Sequence, residues 1–217
     1  MRMLTRAERD ALTPIMAIEV LRKGNERFVN NLKANRNLLQ QVNDTSEGQH
    51  PLAIVLSCID SRTSAELIFD QGLGDIFSCR IAGNVLNEDI LGSMEFACKV
   101  AGAKSIVVLG HSRCGAVMGA CDGVKLGNLT GLLHKIDEAI DMETETTNNR
   151  TSKNLEFVER VAQLNVLLVK QHITERSPIL AKMIEDAEIA LIGGMYDVAS
   201  GAVEFYDDRM LMGARAA

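Results

Sequence analysis

The chain has 217 residues, 47% of them hydrophobic and 24% charged, with a net charge of −6. That length suits one domain with a sizeable core, residues 1–217, and the composition is that of an ordinary globular protein. No Lys/Arg cluster offers the basic face that duplex nucleic acid needs, no apolar run approaches a membrane span, and Met1–Asp10 lacks the apolar stretch of a signal peptide, so no nucleic acid and no membrane partner is expected and the setting is read as cytoplasmic.

From Thr13 to about Leu39, Ile18, Leu21, Phe28 and Leu32 recur at helical spacing among Glu19, Arg22, Lys23, Glu26 and Arg27. This predicts an N-terminal helical arm, residues 1–45, of one or two amphipathic helices, with Pro14 in a first turn and Gly24 at a break or a close contact. Polar Asn43–His50 is a loop that ends at Pro51 and opens the core, residues 46–217. Leu52–Leu56 is apolar throughout, as a strand covered on both faces must be. A helix capped by Thr63 or Ser64 follows through Phe69 and stops near Gly72 or Gly74. Asp75–Ala82 reads as a second strand, and Ile90, Leu91, Met94, Ala97, Cys98 and Ala101 mark one face of a helix over 88–101. Ser105–Leu109 is a third strand running to His111, and Cys114 opens a helix through Val117, Met118 and Cys121.

Further helices are predicted over 129–142, 155–175 and 178–184, with the polar run Glu143–Asn154 as a surface loop. Glu188–Ile192 is a fourth strand. Gly193-Gly194 then separates it from a closely spaced pair, Met195–Val198 and Ala202–Tyr206, with an antiparallel edge. Strands alternating with helices give an α/β fold with a mostly parallel sheet. Five cysteines, an odd number lying partly inside apolar segments, argue against a disulfide framework, and Cys79, Cys98 and Cys121 read as small core residues.

The remaining cysteines carry chemistry. Ser57-Cys58-Ile59-Asp60-Ser61-Arg62 and Gly110-His111-Ser112-Arg113-Cys114-Gly115 each close an apolar strand. Ligands of an open parallel sheet bind outside the carboxyl ends of its strands, so Cys58, His111 and Cys114 can converge there. Two thiolates and an imidazole suit zinc better than magnesium or calcium, and three protein ligands leave the fourth tetrahedral position open, as a catalytic site requires. The bland alternative is two core thiols and an unrelated histidine; a lone His-x-x-Cys would not exclude it, but two strand ends with Asp60-x-Arg62 alongside favour the metal. Asp60 can serve as a fourth ligand in a closed state, or accept a hydrogen bond from the metal's water. Arg62, by a bidentate pair, decides which; a purely structural ion pair is the competing role. Gly110, Gly115 and Gly119 match no phosphate-loop pattern. His50, His134 and His172 read as surface residues, with His50 also a candidate proton shuttle.

At these residues the chain resembles the β-class carbonic anhydrases, of the plant-like type. Cys58-x-Asp60-Ser61-Arg62 with His111-x-x-Cys114-Gly115 is similar to that family's paired signature. Gly24-Asn25-Glu26-Arg27-Phe28, Gly48-Gln49-x-Pro51, Gly74-Asp75-Ile76-Phe77, Ala82-Gly83-Asn84, Met94-Glu95-Phe96-Ala97 and Ser177-Pro178-Ile179 extend the likeness over about Ile18 to Tyr206. The resemblance implies a zinc enzyme that interconverts carbon dioxide and bicarbonate by attack of zinc-bound hydroxide. It implies Cys58, His111 and Cys114 as ligands, Asp60 and Arg62 as a catalytic dyad, and Gln49, Phe77, Ala82, Phe96 and Gly115 at the substrate pocket, where Gln49 can come from the partner subunit. It implies four parallel strands plus an antiparallel edge strand, and a homodimer or dimer of dimers in which the arm packs on the partner. Ile81 stands where many members have asparagine, and Ala82 where plant-like members have valine. The chain has no tryptophan, so the family's bicarbonate-regulated form is not expected. Two other readings remain: a carbonyl sulfide or carbon disulfide hydrolase on the same scaffold, and a non-catalytic zinc- or redox-sensing binding protein that uses Cys79 or Cys121.

Overall fold

The computed structural model describes residues 4–206; residues 1–3 and 207–217 of the expected domain lie outside it. Its strands are β1 (Ala53–Ser57), β2 (Ile76–Arg80), β3 (Ser105–His111), β4 (Ala190–Tyr196) and β5 (Val203–Phe205). They form one sheet in the order β2-β1-β3-β4-β5, with β5 antiparallel to β4 and the other pairings parallel. The helices are α1 (Arg6–Asp10), α2 (Pro14–Val29), α3 (Leu38–Asp44), α4 (Ala65–Ile68), α5 (Glu88–Glu95), α6 (Gly115–Cys121), α7 (Gly127–Leu133), α8 (Asp137–Met142), α9 (Leu155–Arg176) and α10 (Pro178–Glu185). Among the described residues, no helix is long and apolar enough to cross a membrane.

Side chains alternate across a strand, and here both faces are covered. Ile54, Leu56, Ile106 and Val108 join the core beneath α5, α9 and α10, with Met94, Phe157, Val161, Val166 and Leu180. Ala53, Val55, Val107 and Leu109 join the opposite core, with Ala17 and Leu21 of α2 and Ala65 and Ile68 of α4. The uninterrupted apolar runs of β1 and β3 follow directly from this double burial.

Gly193-Gly194 does not end a strand; β4 runs through it. A Cβ at Gly193 would stand 2.7 Å from Val166 Cγ1 of α9, and one at Gly194 would stand 2.8 Å from the Glu204 carbonyl oxygen of β5. The pair is a close-approach site for the layers on either side, not a turn. The helix expected from Thr63 or Ser64 is a single turn, and that expected over 88–101 continues α5 through a π-helical turn at Phe96–Val100.

The described part of the arm holds α1, α2 and α3, the last two joined by a segment without regular secondary structure. Thr13 Oγ1 accepts from Met16 N and Pro14 occupies the first turn, as capping chemistry favours. One face of α2 belongs to the chain's own core: Ala17 and Leu21 are buried, and Asn25 donates to the Ile68 and Gly201 carbonyls and accepts from Val203 N. Ile15, Leu32 and Leu39 remain 77%, 66% and 72% exposed. Buried Asp70 ties the arm down, accepting from Arg27 Nε at 2.5 Å, Arg36 Nη1 at 2.5 Å and Ala34 N at 3.1 Å. Burial pushes its carboxyl up, but Arg27, Arg36 and the Ala34 amide outweigh it, so the pKa lies below the ordinary value. A depressed folded-state pKa contributes stability above the unfolded value, and that stability is lost as pH falls through the folded one. Asp70→Asn is therefore expected to destabilise the protein by about 3 kcal/mol at neutral pH, with the gap from wild type narrowing below about pH 4 in urea denaturation at a series of pH values.

Candidate metal centre

β1 and β3 are neighbours, yet their successors diverge, since β2 flanks one side of β1 and β4 the far side of β3. Strand order reverses between them, and a crevice opens outside their carboxyl ends. Cys58 is the first residue beyond β1, His111 is the last of β3, and Cys114 is the N-cap of α6. Between the latter two, Arg113 takes the left-handed conformation, φ 54°, and turns the chain from strand into helix.

The three side chains meet. Their ligand atoms all lie within 4.8 Å of one another. Cys58 Sγ and Cys114 Sγ are 4.0 Å apart, and Cys58, His111 and Cys114 are 4%, 1% and 1% exposed. Two sulfurs at a tetrahedral zinc with bonds of about 2.3 Å would be about 3.8 Å apart, close to this spacing. His111 Nδ1 lies 3.0 Å from the Ser112 carbonyl oxygen, which fixes the ring and leaves Nε2 buried without a hydrogen-bond partner. A neutral imidazole donating through Nδ1 presents a lone pair at Nε2, as a metal ligand must.

The electrostatics agree with that donor set. Sharing a hydrogen bond with Cys114 pulls the Cys58 thiol below its ordinary value, against burial, with help from His111 and from the Asp60 and Gly83 amides. Cys114 is pushed up by the same contact and by burial, although the Val117 and Ala116 amides at the start of α6 favour its thiolate. The first proton leaves readily and the second is held by the neighbouring negative charge. A cation between the sulfurs removes that opposition.

Asp60 stands outside this group of ligand atoms. Its Oδ1 accepts from Arg62 N at 3.0 Å and Arg62 Nε at 2.9 Å, and its Oδ2 from Arg62 Nη2 at 2.8 Å. The Arg62 hydrogen bonds hold its carboxyl well below the usual carboxylate range, with His111 acting in the same direction. Gly115 opens α6 with free space where a Cβ would lie, and Ala82 is half-buried in the turn Ala82–Asn84. Gln49 is exposed just before β1. Phe77 and Phe96 pack edge to face, 6.2 Å between centroids, and line a cavity of about 660 Å³ against β2 and α5 that also touches Cys79 and Ser93. None of Cys58, His111 and Cys114 lines that cavity. His134 and His172 face Asp137 and Glu138 at the surface.

Several groups that hold the site had no distinct sequence signal. Thr63 is no helix cap: it is buried, and its Oγ1 donates to the Cys58 and Asp60 carbonyls at 3.0 and 2.9 Å. The Gly83 amide donates to Cys58 Sγ at 3.3 Å. Gly83 has φ 69°, and a Cβ there would meet Ile136 Cδ1 at 2.9 Å, so both conformation and space call for glycine. Its carbonyl accepts from Asn165 Nδ2 of α9 at 2.9 Å, across 82 residues of chain.

Comparison with known proteins places this arrangement. The carbonic anhydrase family model matches residues 53–203. "Carbonic anhydrase 2" of Mycobacterium tuberculosis (strain CDC 1551 / Oshkosh) is 34% identical over 197 residues, which covers 89% of this chain and 93% of that one. The carbonic anhydrase of Mycolicibacterium smegmatis is also 34% identical, over 88% of this chain and 92% of that one. Among solved structures, the β-carbonic anhydrase CafA of Aspergillus fumigatus superposes with a TM-score of 0.70 at 26% identity, covering 81% of this chain and 86% of that one. The chain belongs to the carbonic anhydrase family, as an enzyme of its β class.

Proposed function

We propose that the chain catalyses the reversible hydration of carbon dioxide to bicarbonate and a proton, with zinc held by Cys58, His111 and Cys114. The observation that carries this is the buried cluster of two thiols and an imidazole in which His111 Nε2 has no hydrogen-bond partner. Zinc, when bound, supplies a Lewis acid that makes a hydroxide nucleophile available near neutral pH, with a water pKa of about 7 in the three-histidine carbonic anhydrases that serve as the reference case.

The chain's own groups do the rest. Both Asp60 oxygens are engaged by Arg62, so the carboxylate stays ionised and is kept back from the ligand cluster. In that position it accepts a hydrogen bond from the nucleophile and orients it toward the carbon. Burial of the ligands excludes bulk water and strengthens these contacts. We assign Gln49, Phe77, Ala82, Phe96 and Gly115 to the substrate pocket. Exposed Gln49 and the Phe77–Phe96 pair are surfaces through which a second copy would complete it. The exposed Ile15, Leu32 and Leu39 of the arm support packing on that second copy, as a homodimer or dimer of dimers. All five cysteines are free, which supports a reducing, cytoplasmic setting.

The test is stopped-flow hydration of carbon dioxide on protein of assayed zinc content. Wild type is expected to hold about one zinc per chain and to turn over, while Cys58→Ser loses most of the metal and more than about 100-fold in rate. Zinc without hydration would sink the proposal. Two thiolates place more negative charge on the metal than imidazoles do, so the nucleophile gives up its proton at higher pH; Asp60, already ionised, adds no slope. Hydration is thus expected to run faster at about pH 8.5 than at about pH 7, and a flat profile between them contradicts this account. Arg62→Ala frees Asp60 to approach the cluster and is expected to cut kcat/KM about 10- to 100-fold with zinc retained.

A further inference from the structure

Arg80 is the last residue of β2 and pairs in register with Ser57, the last of β1. Its guanidinium makes no ion pair with Asp60. Instead Nε donates to the Cys58 carbonyl at 3.0 Å and Nη2 to the Asp60 carbonyl at 2.6 Å. The same two carbonyls accept Thr63 Oγ1, so two side chains grip one three-residue turn. The residues after Arg80 continue the grip: Ile81 N donates to the Ser57 carbonyl at 3.1 Å and Gly83 N to Cys58 Sγ at 3.3 Å. The segment 80–83 thus acts as a template for the turn that carries a metal ligand at one end and the Asp60 carboxylate at the other.

We propose that Arg80 is a positioning residue of the metal centre, which fixes the backbone of Asp60 relative to Cys58 and so holds the Asp60 carboxylate where Arg62 can keep it off the metal. The inference rests on the zinc reading above. Arg62 governs the Asp60 side chain, while Arg80 governs the main chain from which that side chain springs. A planar guanidinium can bridge two carbonyls two residues apart. An ammonium is a point donor on a flexible stem and cannot hold that geometry.

The experiment compares wild type, Arg80→Ala, Asp60→Asn and the double variant as full chains, loaded with Co²⁺ for visible spectra and with Zn²⁺ for kinetics. The expected result has three parts. Arg80→Ala keeps its metal, its cobalt bands differ from those of wild type, and kcat/KM falls about 10-fold or more. The spectral difference disappears when Arg80→Ala is made in the Asp60→Asn background, because the effect runs through Asp60. Arg80→Lys restores little. Cobalt bands unchanged by Arg80→Ala, or changed equally in both backgrounds, would overturn the proposal, as would full rescue by lysine. Should Arg80→Ala fail to fold, Arg80→Gln and Arg80→Lys carry the same comparison. Failure of wild type to hydrate carbon dioxide would count against the proposed function alone, since the cobalt spectra read the position of Asp60 without turnover.

Discussion

Two thiols and an imidazole buried side by side set the terms for everything around them. Removed from water, a lone thiolate is costly and a second beside it more so, unless a cation shares them. The surrounding structure lowers that cost in part: the Asp60 and Gly83 amides face Cys58, and the Ala116 and Val117 amides at the start of α6 face Cys114. Main-chain donors are rigid and carry no counter-charge, so they favour thiolates without competing with a metal. The remaining imbalance, an unpartnered Nε2 and one thiol held protonated by its neighbour, is what a divalent ion would relieve.

The sheet makes that convergence possible. Because strand order reverses between β1 and β3, the loops that leave them part at the crevice, and side chains 56 residues apart in sequence come within 4.0 Å. The layers on both faces hold the strand ends still. α9 does this most directly, with Val161 and Val166 in the core and Asn165 reaching the Gly83 carbonyl. A site built on strand ends and braced by a long helix is held more firmly than one built on loops alone.

This division explains what the sequence could disclose. β1 and β3 were legible because a strand buried on both faces must be apolar at every position, and the ligands were legible because they follow those runs immediately. Gly193-Gly194 misled because glycine marks either a turn or a close approach. The neighbours that decide between these, Val166 for Gly193 and Glu204 for Gly194, lie 27 and 10 residues away in sequence. Thr63 misled for a similar reason: a threonine before a helix turn looks like a cap until the buried carbonyls of Cys58 and Asp60 are seen beneath it. Asn165 gave no signal, since an amide on a helix face reveals its partner only in three dimensions. The resemblance puts Phe77 and Phe96 at the substrate pocket, but that they pack together on a cavity lined by none of Cys58, His111 and Cys114 is a property of the fold.

The grip on Asp60 has a further consequence. Its carboxylate is held by Arg62, which is on the same turn and half exposed, whereas its carbonyl is held by Thr63 from within and by Arg80 from the adjacent strand. These constraints differ in how easily they yield. The ion pair is bidentate but open to solvent on its Arg62 side, so it can rearrange without any strand moving. The carbonyl contacts come from Arg80 at the end of β2 and from buried Thr63 in the turn itself, so they are tied to the sheet edge. Side chain and main chain are thus held by different partners: the Asp60 carboxylate by Arg62 alone, and the turn that begins at Cys58 by Thr63 and Arg80 together.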